Sequence, residues 1–181
     1  MNSDADKTQV SHKHQQTHSH SHSGDCCSHT SNLERDYANS MESLIINSKE
    51  KSFLKELVKY RYLPVCRFIM SSSIDEGARI VSLAPVYLNS VDDSMETVKE
   101  TRNVLYELEE KELISLDYDI PLQDYNYTQY TQSALFAFFK ETVNEGKKNP
   151  SFLFDTAEIE LGSIALTELG EKFSENIEGF A

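Results

Sequence analysis

The chain has 181 residues, 39% of them hydrophobic, which suits one domain with its own core and leaves little room for a second. Its formal net charge of −13, from 30 acidic and 17 basic residues, disfavours non-specific attraction to nucleic acid and to anionic membranes. No stretch approaches the roughly 18 uninterrupted apolar residues of a membrane span, and the first residues are polar. The three cysteines form a poor disulfide framework, because Cys26 and Cys27 are adjacent and Cys66 is left over. We therefore expect a soluble cytoplasmic protein in a reducing compartment.

Residues 1–31 differ sharply in composition from the rest. They are rich in Ser, Thr, Gln, Asp and His and almost lack aliphatic residues, which predicts a disordered tail in front of a domain over residues 32–181. All six histidines lie in this tail, beside two cysteines, and the eight candidate metal ligands are His12, His14, His18, His20, His22, Cys26, Cys27 and His29. Neutral imidazole and thiolate are the usual ligands of zinc, nickel and copper, so the tail is interpreted as a metal-binding segment. The alternative is a solvated low-complexity segment or an expression tag that binds metal only as any His-rich peptide does.

The domain is predicted to begin with helices. Apolar residues recur at three- and four-residue intervals from Leu33 to Ile45, which predicts one amphipathic helix. A second helix is predicted from near Lys51 to Leu63, with Pro64 kinking or ending it and residues 65–70 continuing it. Residues 71–77 are predicted to form a turn.

The stretch from residue 80 to 112 predicts a strand followed by a helix. Residues 80–83 are β-rich, and residues 84–88 are compatible either with a short helix or with an extension of the strand. Asp93 with Glu96 three residues later has the pattern of a capping box, so a helix is predicted to start there and to end near Glu112.

Two segments carry a resemblance to a known superfamily. The sequence from Val104 to Ile114 is similar to a recognition helix followed by Leu-Ile at the start of a wing, and the sequence from Ile164 to Phe173 is similar to the strand-to-helix exit with its Leu-Thr-x-x-Gly pattern. The chain thus resembles winged-helix regulators of the MarR and PadR kind. This implies an α+β, winged helix-turn-helix-like domain that forms a homodimer and binds DNA, with residues 83–114 leaving room for a two-helix unit.

The sequence departs from this pattern at two places. Glu112 stands where these families usually have glycine, at a position that often takes a left-handed backbone conformation. The wing is also too long: between predicted strands over residues 115–122 and 157–166 lies an insertion with several tyrosines and an apolar helix around residues 135–143. This helix is expected to pack on the core or to form a homodimer contact. Alternatively, Phe136, Phe139 and the tyrosines line a pocket for an apolar effector.

In the winged-helix interpretation, the predicted helix over residues 93–112 enters the major groove of DNA. The candidate DNA-binding residues on its outward face are Thr97, Lys99, Arg102, Asn103 and Tyr106. Arg102 and Asn103 are of the types that read bases, and Lys99 suits phosphate. However, residues 95–112 contain six acidic and three basic side chains, which opposes contact with phosphates. Two functions therefore stay open: a DNA-binding transcription regulator that responds to metal through its tail, or an acidic winged-helix adaptor that binds another protein.

Catalytic patterns are weak in this sequence. Residues 32–181 contain no histidine for a nucleophile pair, no glycine-rich phosphate loop is present, and Cys66 lies among apolar neighbours as a core thiol does. We therefore expect a protein that is not an enzyme.

Overall fold

The computed structural model describes residues 44–176, which form an α+β domain. The predicted disordered tail, most of the first predicted helix and all eight candidate metal ligands lie outside these residues. Within the described range there are four strands, namely β1 (Tyr62–Ser71), β2 (Arg79–Val86), β3 (Ile114–Asp117) and β4 (Thr156–Leu166). The helices in the same range are α1 (Ser48–Tyr60), α2 (Met95–Glu110), α3 (Thr128–Thr131), α4 (Ala134–Gly146) and α5 (Glu168–Asn176).

The strands form one antiparallel sheet in the order β2-β1-β4-β3. The long strands β1 and β4 are paired along their whole common length, from Tyr62 opposite Ala165 to Ser71 opposite Thr156. Strand β1 is buried along most of its length because it lies between two neighbours and has helices on both faces.

The prediction that a helix continues through residues 65–70 is wrong. Helix α1 ends at Tyr60, and Arg61, with a φ of 67°, turns the chain into β1. Pro64 can lie in this central strand because the pairing of β1 with β2 starts only at Cys66, so a missing amide at residue 64 breaks no ladder on that side. Apart from Arg67, residues 65–70 are apolar because both faces of β1 are buried, and this removes the alternation that marks a strand.

One face of the sheet carries α1, α2 and α5. Leu63 and Val65 of β1 and Ile164 of β4 point to this face and join a core cluster with the apolar sides of the three helices. The fully buried members of that cluster from α1 and α2 include Leu54, Leu57, Leu105 and Leu108. This cluster holds the two helices that later form the walls of the candidate site.

The opposite face is covered by the inserted segment between β3 and β4. Phe68 of β1 contacts the rings of Phe136 and Phe139 of α4, with centroids 5.2 and 5.3 Å apart. Tyr130 of α3 is fully buried and donates a hydrogen bond from its hydroxyl to the carbonyl oxygen of Pro64, 2.9 Å away. The expectation that the inserted apolar helix packs on the core is confirmed: Leu135, Phe136 and Phe139 pack against this face, whereas Phe138 is exposed.

The helix-turn-helix arrangement is not confirmed by the described residues. Residues 84–86 extend β2, residues 87–94 contain no helix, and a single helix, α2, connects β2 to β3. The N-cap of α2 is Ser94 rather than Asp93: the Ser94 Oγ accepts from the amide of Thr97, 3.2 Å away. Asp93 instead accepts from the amides of Asn89 and Ser90, which closes the loop before the helix.

The end of α2 explains one departure noted in the sequence. Glu112 has a φ of 57°, so it takes the left-handed conformation for which glycine is favoured. The amide of Leu113 bonds to Leu108 O at 3.0 Å and that of Glu112 to Glu109 O at 2.9 Å, which is the Schellman pattern of helix termination. Strand β3 follows at once and is shorter than predicted.

Candidate functional site

Helices α1 and α2 are fixed to each other at their ends. Asn47 caps α1 and forms a capping box with Glu50, whose carboxylate accepts the amide of Asn47 at 2.6 Å. Glu50 is fully buried, and its other oxygen pairs with the ammonium of Lys111 at the C-terminal end of α2. This buried ion pair ties the start of one helix to the end of the other, and so sets the spacing between them.

A groove with a volume of about 370 Å³ lies between these two helices. This volume is within the range of small-ligand sites. Its lining combines hydroxyl, carboxylate, amide and aromatic side chains: Ser48, Lys49, Ser52, Phe53, Glu56, Tyr87, Asn89, Thr97, Glu100, Thr101 and Val104.

The aromatic part of the lining belongs to the core. The rings of Phe53 and Tyr87 are 5.4 Å apart in an edge-to-face arrangement, and both residues are more than 90% buried. The Tyr87 hydroxyl donates to Glu56 Oε1 at 3.0 Å. Burial, followed by the negative charge of Glu56, raises the pKa of Tyr87, so the phenol stays protonated and acts as a hydrogen-bond donor at physiological pH.

One ion pair joins the two walls of the groove. The Lys49 Nζ on α1 lies 2.8 Å from Glu100 Oε2 on α2, and both side chains are about two-thirds exposed. The hydrogen bond and charge of Lys49 lower the pKa of Glu100. An exposed pair of this kind exchanges readily with other ions because water solvates both partners.

The candidate DNA-binding residues do not share one face of α2. Thr97 lines the groove, and its hydroxyl lies 3.1 Å from that of Ser94. Arg102 and Tyr106 lie towards β2, where the Tyr106 hydroxyl donates to the carbonyl oxygen of Ala84 at 2.8 Å. The guanidinium of Arg102 lies 5.1 Å from the centroid of the Tyr106 ring.

Lys99 and Asn103 are exposed on the outward side of α2, together with acidic residues. Helical spacing places Glu96, Lys99, Asn103, Glu107 and Glu110 on one stripe, and all five are exposed. We call these five residues the outer face of α2. It carries three carboxylates and one ammonium, so it is acidic overall.

A second charged cluster lies on the sheet and was missed by sequence reasoning. Arg67 of β1 pairs with Glu160, directly opposite it on β4, and Arg79 of β2 pairs with both Glu160 and Glu158. Burial opposes the ionisation of Glu160, but the hydrogen bonds from the two arginines outweigh it and lower its pKa. Because its charges are mutually paired, this cluster stabilises the packing of three strands, β2, β1 and β4, against one another.

No group of three or more His, Cys, Asp or Glu side chains is arranged to hold a metal ion within residues 44–176. Cys66 is a free, fully buried thiol whose pKa is raised by burial, which makes it a poor metal ligand and nucleophile. None of the helices in this range has the length and apolar composition to cross a membrane.

Comparisons with known proteins add little. No protein-family model matches the chain, and no curated protein does either. A solved structure of an uncharacterized protein from the hydrocarbon-degrading marine bacterium Alcanivorax borkumensis SK2 is 13% identical, covering 81% of this chain and 94% of that chain, with a TM-score of 0.40. That likeness is too low to support an argument on fold or function.

Proposed function

We propose that the domain is a protein-interaction module that binds a basic partner through the α1–α2 surface. The observation that carries this proposal is the outer face of α2, where three carboxylates stand against one ammonium. In the groove, the carboxylate of Glu56 adds to this acidic surface, and that of Glu100 is paired with Lys49. An acidic surface attracts a basic partner at long range and repels polyanions.

The alternative is a winged-helix transcription regulator that uses α2 to read DNA. It requires base-reading side chains on one exposed face of the helix. Lys99 and Asn103 meet this condition, whereas Arg102 and Tyr106 are engaged towards β2 and Thr97 lies in the groove. Lys99 and Asn103 are flanked by Glu96 and other carboxylates, so the geometry favours the protein-binding function.

The two functions are separated by a binding experiment on the full-length protein. Fluorescence anisotropy is measured with a labelled arginine-rich peptide and with pooled short DNA duplexes, at low and moderate salt, with zinc added or chelated. We expect salt-sensitive binding of the peptide and no saturable binding of DNA. Saturable DNA binding that is lost in Lys99→Ala would support the regulator instead.

A matched pair of variants tests whether the outer face of α2 is responsible. Glu96→Gln with Glu110→Gln removes two carboxylates from that face, whereas Glu141→Gln with Glu175→Gln removes two exposed carboxylates elsewhere. The first double variant should weaken peptide binding several-fold more than the second. Equal weakening would show attraction by net charge alone and would contradict a defined surface.

We also propose that the N-terminal segment binds a transition metal, zinc, nickel or copper. The support is the sequence: six histidines and two cysteines lie within residues 12–29, outside the described residues. Zinc titration by calorimetry should show binding to the full chain and its loss when the six histidines are replaced by serine. Undiminished binding in that variant would refute this assignment.

A further inference from the structure

The α1–α2 groove has the chemistry of a site for a cationic side chain. Its lining includes the carboxylates of Glu56 and Glu100, the amide of Asn89 and the largely buried Tyr87. Glu56 accepts one hydrogen bond from Tyr87, and a carboxylate has about four lone-pair sites, so it keeps capacity for a further donor. The groove therefore offers carboxylate acceptors to a cationic group.

The groove already holds one cation, which belongs to the protein itself. Among the lining residues, Lys49 is the one with a positive charge, and its ammonium is bound to Glu100 across the groove. Lys49 thus shows where an incoming ammonium or guanidinium would be stabilised. Because both partners of this pair are largely exposed, replacing Lys49 at Glu100 exchanges one ion pair for another and exposes no buried charge.

We infer that the groove accepts an arginine side chain of the basic partner, which displaces Lys49 from Glu100 and also reaches Glu56. Arginine fits better than lysine because its planar guanidinium presents five donors and can serve two carboxylates at once. This inference rests on the proposed function, since it names the group of the partner that the surface recognises.

The test uses a small probe and groove-specific variants. N-acetyl-arginine amide is titrated into the full-length ¹⁵N-labelled protein at low salt, and the amide shifts of Asn89, Thr97 and Thr101 are followed. N-acetyl-norleucine amide serves as the uncharged control. Propylguanidine, which carries the same single charge, is titrated separately, because tighter binding of this small guanidine than of the amino-acid probe would indicate a small-molecule site and overturn a protein partner.

The Lys49→Gln variant tests the inference by the direction in which it changes the affinity for the arginine probe. If Lys49 competes with the ligand, the variant binds the arginine probe about two- to fivefold more tightly, the range that the loss of an exposed ion pair allows. Glu100→Gln and Glu56→Gln should each weaken binding by a similar factor or more. The matched control is Lys59→Gln, on the same helix but stacked on Tyr60 and outside the groove lining.

The outcomes separate this inference from the proposed function. Equal effects of Lys49→Gln and Lys59→Gln would show a general charge effect and overturn the groove site. If the arginine-rich peptide binds while the groove amides do not shift, the site is wrong but the protein-binding surface stands. If neither probe binds, both proposals fail.

Discussion

Replacing Glu50 with alanine should loosen the pair of helices that forms the groove. The side chain is fully buried, accepts the amide of Asn47 and binds the ammonium of Lys111. The lost backbone hydrogen bond is worth about 0.5–1.5 kcal/mol and the charged one about 1.5–3 kcal/mol. Lys111 is 26% exposed and regains water, so the lower half of that sum applies, about 2–3 kcal/mol.

This loss of stability is measurable by thermal and urea unfolding followed by circular dichroism. For a domain of this size, 1 kcal/mol shifts Tm by about 3 °C, so Glu50→Ala should lower Tm by roughly 6–9 °C. Glu50→Gln keeps an acceptor for the Asn47 amide and should cost about half as much. Glu110→Ala, at an exposed position of α2, is the control and should stay within about 0.5 kcal/mol. A Glu50→Ala variant as stable as this control would refute the view that the buried ion pair joins the helices.

Three further changes test other parts of the fold. Glu112→Gly should raise the free energy of unfolding, measured in urea, by about 0.5–1 kcal/mol. Glycine avoids the cost of the left-handed backbone conformation, and this gain exceeds the greater chain entropy that glycine loses on folding. An unchanged or lower free energy of unfolding would contradict this. Gly170→Ala should lower it by about 1–3 kcal/mol, since a Cβ there would overlap the carbonyl oxygen of Leu113; wild-type stability would show that the approach is looser. The pKa of Glu160 is lower in the folded state than its ordinary value of 4.5, so its stabilisation is present above that pH and is lost as the pH falls through the folded pKa. Glu160→Gln should therefore make the free energy of unfolding less dependent on pH at acidic pH, and an unchanged dependence would count against the ion pair with Arg67.

The elements with strong local signals were predicted well. Strand β4 and helix α2 match their predicted positions within about two residues, because apolar periodicity and a polar cap are properties of neighbouring residues. Strand β1 was missed because it is buried on both faces and contains Pro64, so its residues show no alternation. The helix-turn-helix unit inferred from resemblance was not confirmed, since short motif similarity does not determine how many helices connect two strands.

The groove could not have been predicted from local patterns. Tyr87 and Glu56 are 31 residues apart, and Lys49 and Glu100 are 51 apart, so only tertiary packing brings each pair together. The predicted DNA-binding set was chosen by residue type on the expected outward face of one helix. The structure places those side chains on different sides of α2, because the sheet, helix α1 and solvent each contact a different side of this helix.

Arg102 shows why residue type alone is a weak guide to function here. Its type and position suit base recognition, but its guanidinium lies over the Tyr106 ring, whose hydroxyl is bonded to Ala84 of β2. Its Nε is buried and makes no hydrogen bond within residues 44–176, and its Nη2 lies 3.4 Å from the Tyr106 hydroxyl, so the guanidinium is turned towards Tyr106. Contact with DNA would require Arg102 to leave this site and approach phosphates past neighbouring carboxylates, at a cost in both packing and repulsion. A basic protein partner would need neither change at Arg102, because the carboxylates of the outer face of α2 are already exposed.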